Sequence, residues 1–142
     1  MLVRLLYASR STKPVTTEMV ESILAQSRAN NPDMGITGVL CQSGDFFLQV
    51  LEGGRAPVNQ LYNRIARDER HGDVALLQFE EIGERRFGGW TMGQVNLAKV
   101  NPSTLLKYCV KPALDPYAMS GKASMALIEE LIATANIIGR AG

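Results

Sequence analysis

The stretch G-I-T-G-V-L-C-Q-S-G-D-F-F-L-Q-V-L-E-G, residues Gly35 to Gly53, decides how this chain is read. Two strand-forming runs, Ile36–Gln42 and Phe46–Leu51, flank Ser43-Gly44-Asp45. Apolar runs joined by a short Gly-containing link predict a β-hairpin. Side chains alternate faces along a strand. Phe46, Leu48 and Val50 therefore share one face, and Phe47, Gln49 and Leu51 the other. Gln49 is an amide in an otherwise apolar strand. Unbonded in a core it would cost roughly 1–3 kcal/mol, so the rest of the chain must supply its partner.

Upstream, Leu2–Ser9 predicts a strand with Leu5 and Tyr7 on one face and Leu6 and Ala8 on the other, ended by the polar run Arg10–Pro14. A helix follows, N-capped by Thr16 or Thr17 with Glu18 or Glu21 close behind. Met19, Val20, Ile23, Leu24 and Ser27 fall at helical spacing. Asn30-Asn31-Pro32 is expected to end it, leaving Asn31 with a non-helical backbone, because a proline disfavours helical geometry in the residue before it. Downstream, Gly53-Gly54 is expected to break the hairpin. A second helix is predicted over Ala56–Arg70, with Val58, Leu61, Tyr62 and Ile65 on its apolar side and Arg64 and Asp68 one turn apart. Two more strands, Val74–Ile82 and Gly89–Leu97, complete the set. Glu80, Glu81, Glu84, Arg85 and Arg86 read as a solvated hairpin end. Trp90 and Met92 are expected on one face, and Gly93 marks a bulge.

The order β-α-β-β-α-β-β predicts an α+β, ferredoxin-like fold with a five-stranded mixed sheet. Right-handed crossovers place the first and third strands side by side. Tyr7 then neighbours Gln49, and both face the two helices. The tail predicts a short helix from Pro102 through Cys109, a loop over Lys111–Gly121 and a helix over Ser124–Ile138 carrying Leu127, Ile128, Leu131, Ile132 and Ala135. The sheet face with Leu6, Phe46 and Leu48 needs cover, which this tail or a partner subunit should supply. The expected division is residues 1–97 as a core domain and 98–142 as a helical extension.

The chain has 142 residues, 15 Lys and Arg against 14 Asp and Glu, and formal net charge +1. That balance, without a basic stripe, argues against binding nucleic acid through its phosphates. Cys41 and Cys109 lack metal-ligand spacing, and no metal site is expected. Arg4 interrupts the apolar start, so no signal peptide is read, and no run reaches membrane-spanning length. A soluble, cytoplasmic protein without direct nucleic-acid or membrane contact is expected.

At this point the residues match a known pattern. The chain resembles the BLUF domains, blue-light sensors that use FAD. The resemblance runs from about Leu2 to Asn96. It rests on Tyr7, on N-N-P-x-x-G-I-T-G (Asn30–Gly38), on F-L-Q-V-L-E-G (Phe47–Gly53), on I-x-x-D-x-R-H (Ile65–His71) and on R-R-F-x-x-W-x-M (Arg85–Met92). The short tail resembles that of stand-alone members. The resemblance implies FAD as cofactor and two helices on the flavin side of the sheet. Ile23 and Ile65 would sandwich the ring, and the Asn31 amide would meet an adjacent carbonyl and N–H on its edge. Ser27, Asn30, Arg64, Asp68 and His71 would hold the ring edge or the ribityl and phosphate region, where no glycine-rich loop grips the phosphate end. Tyr7, Gln49 and flavin would form the photoactive unit. Electron and proton transfer from Tyr7 is relayed by Gln49, whose amide then rotates or tautomerises, bonds the flavin carbonyl and shifts absorption to the red. Trp90 or Met92 would sense the change. The family also implies no catalytic activity in the chain itself. Output would pass to a separate response-regulator-like protein, transcriptional regulator or cyclic-nucleotide enzyme, with the chain as a homo-oligomer.

Each residue also has a plainer reading. Tyr7 and Gln49 are a satisfied cross-strand pair, Trp90 is packing, His71 caps a helix, and Arg64 with Asp68 is an exposed pair worth about 0.3–0.5 kcal/mol. Other functions on the same fold are an acylphosphatase-like enzyme, using Arg10–Lys13 after the first strand, and a colourless ligand-binding or dimerisation module. A flavin redox enzyme would want a nicotinamide fingerprint, and none appears.

Overall fold

In a computed structural model the quoted stretch is a hairpin of β2 (Thr37–Ser43) and β3 (Phe46–Gly54). The structure describes residues 1–134 and, for the backbone, 138–140. Ser43 pairs with Phe46, so the turn is the two residues Gly44-Asp45, with Gly44 at φ 55°. Gly53-Gly54 does not break the strand; β3 continues to Gly54 and the next helix starts at Arg55. A Cβ on Gly38 would lie 2.0 Å from the Val50 carbonyl oxygen, so the close approach of β2 to β3 requires glycine there.

β1 (Leu2–Ser11) and β4 (His71–Ile82) extend the hairpin on one side, and β5 (Trp90–Asn96) and β6 (Ile138–Arg140) on the other. The sheet order is β4-β1-β3-β2-β5-β6. All pairs are antiparallel except β2 with β5. The ferredoxin-like order expected from the sequence is present, and β1 lies beside β3 as the crossover rule requires. The short sixth strand is an addition. The helix expected over Ser124–Ile138 is α4, Gly121–Ala133, while Ile138 belongs to β6. The expectation for Ala135 falls outside the described residues.

The front face buries Val3, Leu5, Tyr7, Phe47, Leu51 and Met92 with Val20, Leu24 and Val58 from α1 (Thr17–Met34) and α2 (Arg55–Arg67). The back face buries Leu6, Ala8, Leu48 and Val50 with Leu105 from α3 (Pro102–Leu106) and Met125, Leu127, Ile128 and Leu131 from α4. The tail supplies the cover that alternation demanded, and Phe46 stacks edge-on against Tyr117.

Thr16 caps α1 through Met19 N–H at 3.1 Å. The helix does not stop at Asn31. It runs past Pro32 to Met34, and Asn31 is helical. Gly35, at φ 68°, closes the last turn: its N–H reaches Pro32 O at 3.0 Å, and Ile36 N–H reaches Asn31 O at 2.9 Å. These closing bonds outweigh the bias that Pro32 places on its neighbour. The second helix ends at Arg67, three residues earlier than expected, and Asp68 is its C-cap.

Two further expectations are corrected. Trp90 and Met92 do not share a face, because Met92 enters the front core and Trp90 packs against the back one. The β5–β6 register shifts between Trp90 and Gln94, and two-residue alternation does not survive such an irregularity. The solvated hairpin end is corrected in part: Glu81, Glu84 and Arg86 are exposed, but Arg85 is half-buried and the backbone of the link is tied into the core. Glu52 on β3 is fully buried and meets Arg4 Nε at 2.8 Å. Its two oxygens accept from Phe87 N at 2.6 Å and Arg86 N at 3.0 Å. Arg85 Nη1 reaches Thr37 Oγ1 at 3.0 Å, and the Arg86 side chain pairs with Glu129 on α4. Glu80 joins from β4, 2.7 Å from Arg4 Nη1.

Candidate functional site

Tyr7 and Gln49 stand directly opposite in the β1–β3 ladder. The Tyr7 O–H donates to Gln49 Oε1. The Gln49 amide nitrogen donates to Met92 Sδ at 3.3 Å. One buried amide thus links β1, β3 and β5. Burial, then the nearby Tyr62 and Asp68, pushes the Tyr7 phenol well above its ordinary range, so it is a neutral donor at pH 7. Tyr62 on α2 lies against it, ring centroids 5.6 Å apart.

In front of this chain of bonds a cleft opens between α1 and α2, with about 120 Å³ of room. That is several times the roughly 10–15 Å³ a single buried water requires. Tyr7, Gln49, Ile23, Ser27, Asn30, Asn31, Arg64, Ile65, Asp68 and His71 all line it. Met92 stands behind Gln49. Trp90 alone of the sequence-predicted residues is turned toward the other core. Gln26, Met34, Leu40, Phe47, Leu61 and Arg70 also line the cleft and were not singled out. Phe47 alternates onto the Gln49 face and Leu61 shares the Ile65 face of α2, so periodicity held a signal for both.

At the far end, Arg70 grips Asp68 with Nε at 3.0 Å and Nη2 at 2.6 Å from Oδ2. The hydrogen bond from Arg70 holds the Asp68 carboxyl below its usual range. The expected partner, Arg64, instead reaches Met34 Sδ at 3.4 Å, a weak acceptor. His71 is not a helix cap; it opens β4, with Nδ1 2.9 Å from Ser9 Oγ and its ring edge-on to Phe47. Burial holds its pKa down, against Asp68 and with Arg70. Among the described residues, no cluster of His, Cys, Asp or Glu is placed to hold a metal ion, and no helix is long and apolar enough to cross a membrane.

The donor set fits a flat heterocycle with polar atoms on its edge. Asn31 is 2% exposed, and its Nδ2 has no hydrogen-bond partner among the described residues. A buried orphan donor costs roughly 1–3 kcal/mol. Its carbonyl and amide, side by side, complement the adjacent N–H and C=O of an isoalloxazine edge. Ile23 on α1 and Ile65 on α2 present apolar surface from two sides of the cleft.

Comparison with known proteins agrees with this chemistry. The BLUF family model, described as sensors of blue-light using FAD, matches residues 2–93. The photoactivated adenylate cyclase subunit beta of Euglena gracilis is 34% identical over 92 residues, covering 64% of this chain and 11% of that protein. The blue light- and temperature-regulated antirepressor BluF of Escherichia coli K12 is 31% identical over 88 residues, 62% of this chain and 22% of that protein. This chain thus spans between about a tenth and a fifth of these relatives' lengths. The dark-state structure of BlrB, a BLUF protein, superposes with a TM-score of 0.78 at 31% identity, covering 94% of this chain and 96% of that one. With a family model matched over well over half its length, the chain belongs to the BLUF family of blue-light sensors using FAD.

Proposed function

We propose that this chain senses blue light through Tyr7, Gln49 and a flavin seated between α1 and α2, and reports it through β5. The observation that carries this reading is the chain of bonds from the Tyr7 phenol through the Gln49 amide to Met92. Asn31, Ser27, Asn30, Arg64, Asp68 and His71 would hold the polar edge and the ribityl side, with Ile23 and Ile65 on the ring faces. When bound and excited, the flavin supplies an oxidant strong enough to take an electron from a phenol.

Every other part of the task falls to the chain. Burial keeps Tyr7 protonated, so electron loss must be coupled to loss of the Oη proton. Gln49 Oε1 receives that O–H bond and lies on the proton's path. Rotation or tautomerisation exchanges the donor and acceptor ends of the amide, and Met92 Sδ then loses the N–H it now receives. Met92 therefore carries the sensing role, and Trp90 does not. The output is a light-dependent change in contact with a signalling partner: a response-regulator-like protein, a transcriptional regulator or a cyclic-nucleotide enzyme. Residues 1–97 form the sensor and 98–142 the extension that transmits. Light shifts this equilibrium only as far as the two states differ in partner affinity.

The acylphosphatase reading is disfavoured by the loop after β1. Ser11 N–H is spent on Asp45 O at 2.8 Å and Thr12 N–H on Arg70 O at 3.2 Å, so neither faces an anion.

The direct test is absorption of the FAD-loaded protein in dark and light. The flavin band should move to the red under blue light and return in the dark, and Tyr7→Phe should abolish the persistent shifted state. A protein that takes up no FAD, or a normal photocycle in Tyr7→Phe, would overturn the reading.

A further inference from the structure

Met92 occupies an unusual place on its strand. The β2–β5 ladder begins one residue later, at Val39↔Gly93. On the other side β5 pairs with β6 at Trp90 and Gln94, four residues apart, against Arg140 and Ile138, two apart. Met92 therefore lies in the irregular stretch. Its carbonyl is taken by a helix: Arg28 Nη2 donates to Met92 O at 3.1 Å. Arg28 lies one residue after Ser27 and one turn before Asn31 and Pro32 on α1. It is exposed and does not line the cleft.

We propose that Arg28 is a positioning residue that fixes where Met92 stands, and through it which end of the Gln49 amide faces β5. The geometry supports a specific mechanism. A bulged residue has freedom that a paired residue lacks. The Arg28 bond removes that freedom at the backbone of the residue whose Sδ accepts from Gln49 Nε2. A long side chain anchored on α1, the helix that carries Ile23, Ser27 and Asn31, sets the strand position from the cofactor side of the molecule. Loss of the tether lets Met92 drift from Gln49, and the amide loses its reason to prefer the present orientation. This inference rests on the sensing role given to Gln49 and Met92 above.

The test uses the full chain with Arg28→Met, which keeps the aliphatic stem and helix propensity but removes the donors, and Arg28→Lys, which keeps a cationic donor. The first readout is made in the dark: the Met92 methyl and Gln49 side-chain amide resonances by NMR. Both should shift or broaden in Arg28→Met and lie nearer the wild type in Arg28→Lys. The second is the dark-recovery time of the FAD-loaded protein. It should lengthen about threefold or more in Arg28→Met, the order expected for the loss of one ordinary hydrogen bond. Resonances and recovery in Arg28→Met that match the wild type would overturn the proposal. Wild-type protein without any light response would instead sink the sensing reading, while the dark resonances still test whether Arg28 positions Met92. Circular dichroism of both variants checks that the fold is retained.

Discussion

Asn31 and Gln49 are both buried amides, and their environments assign them different work. Gln49 is bonded at both ends, to Tyr7 and to Met92, so its orientation is held by two groups of different chemistry. Reversal of such an amide changes which neighbours can bond, which is what a switch needs. Asn31 keeps an unpartnered Nδ2 at the cleft. That atom costs the empty protein stability and is recovered on binding. Asn31→Ala should therefore weaken FAD binding about tenfold, from the loss of one buried hydrogen bond, while the flavin-free protein melts no lower than the wild type. Titration with FAD and thermal unfolding of the apo form check the two halves separately. Tyr7 and Gln49 were legible as residues, because an amide or phenol among apolar neighbours is visible in a pattern, whereas Asn31, among polar neighbours, was marked only by the family resemblance. Arg28 was not legible, since its role depends on a contact with Met92 O, 64 residues away, that the pattern of a helix does not reveal.

At the scale of elements, the carboxylate of Glu52 is a second organising centre. It ties β3 to β1 through Arg4 and to the β4–β5 link through the Arg86 and Phe87 amides. Removing one partner of a buried ion pair leaves the other charged and desolvated. Glu52→Ala should cost about 3–5 kcal/mol and loosen residues 84–89, measured by denaturant unfolding and amide hydrogen exchange. A loss under 1 kcal/mol would contradict the role given to Glu52. The sequence hid this cluster because one charge in a strand reads as a solvated interruption. Burial of Arg4 follows only from the register that sets it opposite Glu52 and Glu80. The end of α1 was hidden for a related reason. Pro32 biases its neighbour locally, but the closing bonds at Gly35 and Ile36 decide the outcome. The hairpin, both core helices and the Tyr7–Gln49 register were all legible, because each follows from periodicity and crossover handedness.

For the whole molecule, two cores lie on opposite faces of one sheet, and β3 belongs to both. Phe47 and Leu51 face the cleft side, while Leu48 and Val50 face α3 and α4. A change at Gln49 is thus one residue from the core that holds the tail, and Arg86 with Glu129 adds a charged link to α4. The same molecule should be acid-sensitive. His71 has a folded pKa held below its ordinary value, so the unfolded chain takes up its proton first. Stability is lost as pH falls through about 6.5, the unfolded value. Asp68 is also depressed, so its contribution is full above about 4 and is lost below that, as pH falls through its folded value. The melting temperature of the apo protein should drop between pH 7.5 and 5.5, and His71→Gln should flatten that segment. A profile unchanged by His71→Gln would remove His71 as its source.

The central claim is that the Gln49 amide is the moving part. Light-minus-dark infrared difference spectra of FAD-loaded protein, with and without isotope-labelled glutamine, test it most directly. Side-chain amide bands should shift with the label, reverse in the dark and vanish in Gln49→Leu. A light-induced spectrum that glutamine labelling leaves unchanged would contradict it.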